Sequence, residues 1–162
     1  GYDQAENILW NALFFNQMVT GGFSHRDLMP AGYRMGPIGE AWWCCTENGG
    51  LALARAAQHA VTVRGDKVSI NLLTPGTFRL PAPDGSPVNV VVRTDWPSTA
   101  EATITVNNLP ESMDVDLRVP DCIRNARVEQ TREGSGVEVT LSEGKPARIL
   151  LKFHTKKFSP GR

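Results

Sequence analysis

The stretch VNVVVRTDWPSTAEATITV, residues 88–106, decides the fold. Val88, Val90 and Val92 recur at every second position, and the alternation resumes with Ala102, Ile104 and Val106 against Thr103, Thr105 and Asn107. Successive side chains of a strand point to opposite faces, so a period of two gives one apolar and one wet face. A helix would scatter the same residues around its circumference. Trp96-Pro97 interrupts the two runs. A turn is expected there, with Trp96 packing at the edge of a sandwich.

The same period extends in both directions. Val68, Ile70 and Leu72 alternate with Ser69 and Asn71, and Val115, Leu117 and Val119 with Asp114, Asp116 and Arg118. Val137, Val139 and Leu141 form another set, and Ile149, Leu151 and Phe153 close the series. Turn residues bound these runs at Gly65-Asp66, Pro83-Asp84-Gly85, Asn107-Asn108 and Gly134-Ser135-Gly136. Seven or eight short strands of this kind predict an antiparallel β-sandwich.

Upstream of Val61 the pattern is helical. Asp3 and Glu6 have the spacing of a capping box. Ile8–Phe15, ILWNALFF, is apolar on nearly every face, so surrounding protein is expected to enclose it. Thr20–Gly39 reads as a long glycine-rich loop, and loops of that length are usually functional. A second helix is predicted from about Thr46–Asn48 to about Ala60. The expected fold class is therefore α+β. Residues 1–60 form a helix–loop–helix segment and residues 61–162 a β-sandwich domain.

The function hangs on AWWCCTENGG, residues 41–50. Cys44 and Cys45 are adjacent in a chain of 162 residues with three cysteines, too sparse for a disulfide framework. A bridge between neighbours would close a strained ring, so reduced thiols and a reducing, cytoplasmic setting are expected. A thiol ahead of a helix lies near the positive end of the dipole, which favours thiolate, the form that attacks electrophiles and binds soft metals. Two thiolates are half of a tetrahedral zinc site, and Glu40, Glu47, His25 and His59 are the candidates for the rest. The competing reading makes both cysteines small buried hydrophobes. Spacing does not decide between them.

Other residues read more simply. Glu47 suits a first helical turn for dipole reasons alone. Trp10 is expected in the core, whereas Trp42 and Trp43 fit either core or sugar stacking. Cys122 is expected to be a packing thiol, and His25, His59 and His154 to be surface or structural residues. Lys plus Arg equals Asp plus Glu at 17 each, and no apolar run nears the roughly 20 residues of a spanning helix. No nucleic-acid or membrane partner is expected.

Several segments resemble glycoside hydrolase family 127, the zinc-dependent β-L-arabinofuranosidases. AENILWNALFFNQ is similar to a helix of that family, and WWCCTENGGLALARAAQHAV to its Cys-Cys segment and following helix. DKVSINLLTPGTF, VVVRTDWPSTAEATITV and DLRVPDCIRNARVEQ are similar to its sandwich strands. Thr46-Glu47-Asn48-Gly49 departs from the family's usual Cys-Cys-Pro. The resemblance implies an (α/α)6 barrel coupled to β-sandwich domains, a carbohydrate substrate and retaining chemistry. It also implies Cys44 as nucleophile, Cys44 and Cys45 as zinc ligands, and Glu6 and Trp43 near the sugar. The remaining ligands and the acid/base lie upstream in the family. The chain is thus expected to be a C-terminal portion, incomplete as a catalyst, with a non-catalytic sandwich module as the alternative. An exposed barrel remnant predicts self-association.

Overall fold

A computed structural model describes residues 1–29, 32–35, 41–123 and 125–143, and the alternating runs that fall within them lie on strands. The layout is α+β, helical at the front and then mostly antiparallel sheet. The predicted strand at Ile149–Phe153, together with Glu40 and His154, lies outside the described residues. Contacts group the chain into two compact units, one holding Asp3–Ala54 and one holding Arg55–Ile149.

The second unit holds the sandwich. β5 (Gly76–Pro81), β6 (Pro87–Thr94), β7 (Ala102–Asn107), β10 (Gly136–Glu143) and β9 (Ala126–Glu133) form a five-stranded sheet in the order β5-β6-β7-β10-β9. All its pairs are antiparallel. The register places Val92 opposite Ile104 and Ile104 opposite Val139, with Val90, Val106 and Val137 in the next row. These six side chains are buried, and each contributes about 1.5–3 kcal/mol of burial free energy. The polar positions between them face outward. β9 is an edge strand exposed almost throughout, so its residues show no apolar alternation that would reveal it.

β3 (Val61–Arg64), β4 (Lys67–Ile70) and β8 (Asp114–Leu117) form a three-stranded sheet that adds Val61, Val68 and Ile70 to the core. One expectation is corrected here: β4 and β8 pair in parallel, not antiparallel. The three strands that separate them in sequence belong to the other sheet, and such a crossover returns the chain in its original direction. Turn chemistry holds as read, with Gly65, Gly85, Asn108 and Gly134 all at positive φ. Asp84 accepts from the Ser86 backbone N–H at 2.9 Å and from its hydroxyl at 2.7 Å. Those bonds hold its carboxyl below the usual aspartate range. Trp96 is buried, as its turn position suggested, whereas Cys122 is exposed rather than packed.

The helical front departs further from expectation. α1 (Tyr2–Ile8) starts after Gly1 with no side-chain cap, so Asp3 and Glu6 do not form the capping box. It passes into a π-helical turn at Leu9–Leu13 and a 3-10 turn at Phe14–Asn16. The predicted irregular loop contains a hairpin, β1 (Arg26–Met29) paired with β2 (Gly32–Met35). α2 runs Trp43–Ala60, about one turn earlier than predicted. Its last carbonyls are satisfied by Asn71, whose Nδ2 donates to the His59 carbonyl at 3.0 Å and whose N–H donates to that of Ala60 at 2.8 Å. None of the described helices is long and apolar enough to cross a membrane.

Candidate metal-thiolate site

The cysteine pair lies inside a helix rather than ahead of one, and the cause is local. The Trp42 N–H is held by the Phe23 carbonyl at 3.0 Å, and the Thr46 N–H closes the first helical bond onto the Trp42 carbonyl at 2.8 Å. Cys44 and Cys45 therefore occupy the first turn of α2, where backbone N–H groups lack partners within the helix. The polar side chains that follow the cysteines are bonded as well. Thr46 Oγ1 accepts from the Phe23 N–H at 3.0 Å, and Asn48 Nδ2 donates to the Cys44 carbonyl at 2.7 Å.

Those contacts also fix the segment that approaches α2. Phe23 is buried against Gly49, and a Cβ added to Gly49 would come within 2.3–2.7 Å of three Phe23 ring carbons, far closer than van der Waals contact. Gly49 is thus the residue that lets the segment lie close along the helix. Asn16 and Arg26 tie its far end. Asn16 Oδ1 accepts from the Arg26 N–H at 2.6 Å, and the Arg26 guanidinium reaches the Gln17 carbonyl at 2.9 Å and lies over the Phe15 ring. With Phe23 and Arg26 both held, His25 falls beside the cysteines.

The geometry that results is a three-donor cluster. Cys44 Sγ lies 3.7 Å from Cys45 Sγ, and Cys45 Sγ lies 2.9 Å from His25 Nε2. All three donor atoms lie within 4.8 Å of one another. Both thiols are half-buried and His25 is exposed, its ring meeting the edge of Trp42 at 6.4 Å between centroids. Desolvation, and then the Cys44 thiol through its hydrogen bond and its charge, hold the Cys45 thiol above its ordinary range. That direction opposes the dipole-based expectation for Cys45, because desolvation first, and then the adjacent sulfur, disfavour its negative charge. A cation shared by both would remove the conflict.

The donor set suits zinc. Bonds of about 2.3 Å at tetrahedral angles separate two sulfurs by about 3.8 Å, close to the spacing here. Of the three described ligand candidates, only His25 joins the cluster. Glu47 is exposed on α2 and His59 lies in its last turn; neither is among the clustered donors, and Glu40 is not described. Trp43, beside Cys44, is 72% exposed and free to meet a ligand, whereas Glu6 is buried on α1. Trp10 is half-buried and stacks on Phe14.

No family model matches the chain, and no curated protein matches it either. Among solved structures, the chain is similar to a GH127 β-L-arabinofuranosidase from Geobacillus stearothermophilus T6, with a TM-score of 0.64 and 20% identity. The likeness covers 87% of this chain and 27% of that enzyme, and at this identity it is a likeness of fold.

Proposed function

We propose that this chain is the C-terminal part of a GH127-like glycoside hydrolase that cleaves β-L-arabinofuranosides with retention. In this reading Cys44 is the nucleophile and Cys44 and Cys45 hold zinc. The observation that carries it is the pair of half-buried sulfurs 3.7 Å apart in the first turn of α2. Residues 1–60 then belong to an (α/α)6-type barrel and residues 61–162 to its sandwich domain. The fold likeness to an arabinofuranosidase supports the assignment of class.

Bound zinc would keep both sulfurs as thiolates at neutral pH. Cys44 Sγ attacks the anomeric carbon, and its C–S bond forms as the bond to the leaving oxygen breaks. That oxygen takes its proton from an acid contributed by the rest of the protein. Water then displaces the sulfur, giving its proton to the conjugate base of that acid; the sulfur leaves as thiolate, and configuration is retained over the two inversions. The exposed Trp43 ring offers the sugar an apolar face. Glu6 is assigned to the same neighbourhood by its place in the family's helix. The test is hydrolysis of an aryl β-L-arabinofuranoside by the protein at the length its gene encodes. Zinc-dependent release of arabinose with retained configuration is expected; no turnover by the zinc-loaded protein contradicts the reading.

A second outcome follows for the 162 residues alone. Ile8, Leu51 and Trp43 are 56%, 49% and 72% exposed, large apolar side chains that a barrel would cover. Light scattering should find this chain self-associating as its concentration rises. A monodisperse monomer at high concentration contradicts the barrel assignment.

A further inference from the structure

We infer that His25 is the third metal ligand, so that residues 25–45 hold three of four tetrahedral positions without any residue from elsewhere in the protein. The inference rests on the metal part of the proposed function and gives that site a donor which the family resemblance does not supply.

Three observations carry it. First, His25 Nε2 is the ring nitrogen that faces the sulfurs, 2.9 Å from Cys45 Sγ. Second, its place is built rather than incidental. The neighbouring Phe23 is buried on Gly49 and bonded to Thr46 and Trp42, and Arg26 is bonded to Asn16 and Gln17. The backbone on each side of His25 is therefore anchored, which keeps the imidazole within reach of the sulfurs. Third, the small mismatch is one the residue can absorb. A zinc-bound nitrogen and sulfur lie about 3.5 Å apart, so the imidazole must withdraw by roughly half an ångström. His25 is exposed and has the room.

Two sulfurs and one imidazole make a site typical of zinc, with the fourth position left to a ligand outside the described residues or to solvent. Such an arrangement keeps the ion in place while leaving one coordination position exchangeable. It also makes the hairpin segment part of the site. Zinc would tie residues 22–26 to α2 by a metal bond in addition to the Phe23 contacts.

The probe is Zn²⁺ alone, titrated into the full 162-residue chain in competition with a chromophoric chelator. The wild-type chain is compared with His25→Ala, Cys44→Ser and Cys45→Ser, with circular dichroism confirming the fold of each. His25→Ala should weaken binding by about 100-fold or more, since even outer-shell partners are worth 10–100-fold. X-ray absorption on the wild-type zinc complex gives a readout independent of any variant. It should show two sulfurs at about 2.3 Å and one nitrogen at about 2.0 Å. Unchanged affinity in His25→Ala, with sulfur but no imidazole scattering, overturns the His25 assignment and leaves the cysteine pair intact. No zinc bound by the wild-type chain overturns the His25 assignment; full zinc loading in the longer protein would then show that the cysteine site depends on residues elsewhere.

Discussion

Cys44→Ser, made in the protein at its encoded length, is expected to lower the rate of aryl β-L-arabinofuranoside hydrolysis by roughly 10⁴-fold or more. Removing a covalent nucleophile takes away the whole two-step route, not one contact among several. Serine keeps the shape but not the thiolate, because its hydroxyl remains protonated in the same environment. Cys45→Ser should also reduce activity, but zinc supplementation should restore part of it, since that residue is assigned only to hold the metal. The ordering of the two variants is therefore as informative as their size. If Cys45→Ser proves the inactive variant and Cys44→Ser the rescuable one, the roles are reversed. If both retain near wild-type rates, the sulfur pair takes no part in the chemistry.

Ile104→Ala should cost about 2–5 kcal/mol of unfolding free energy, read from urea denaturation. Ile104 is fully buried at the centre of β7 and has Val92 and Val139 as its cross-strand neighbours. Those neighbours are valines in the middle of a paired sheet and have little freedom to move into the space left behind. Gln130→Ala on the exposed edge strand β9 should change stability by no more than about 0.5 kcal/mol. A loss below about 1 kcal/mol for Ile104→Ala would mean that the five-stranded sheet does not border a close-packed core.

The sandwich was legible because its signal is local. Val88 to Val106 and Val137 to Leu141 carry their own period, and Gly65, Gly85, Asn108 and Gly134 mark turns that need positive φ. What the sequence hid was whatever depends on distant partners. β9 has no buried face to imprint an alternation, and the parallel β4–β8 pair depends on a crossover through another sheet. The start of α2 moved because Phe23, far off in sequence, supplies the carbonyl that takes the Trp42 N–H, a role the capping rules assign to local side chains. The site divides in the same way. Two adjacent cysteines announce themselves, whereas His25 looks solitary until Phe23 settles on Gly49. A glycine in the second turn of a helix was the one available clue. It reads equally well as tolerance for a substrate.

In the proposed mechanism Cys44 Sγ accepts the sugar. Brief incubation of the zinc-loaded, full-length protein with an activated aryl β-L-arabinofuranoside, followed by acid quench and peptide mass spectrometry, tests it directly. One pentosyl group on the peptide holding residues 44 and 45, located at Cys44 by fragmentation and absent from Cys44→Ser, is the predicted result. Steady turnover with that peptide unmodified, or with the sugar on a different residue, would contradict it.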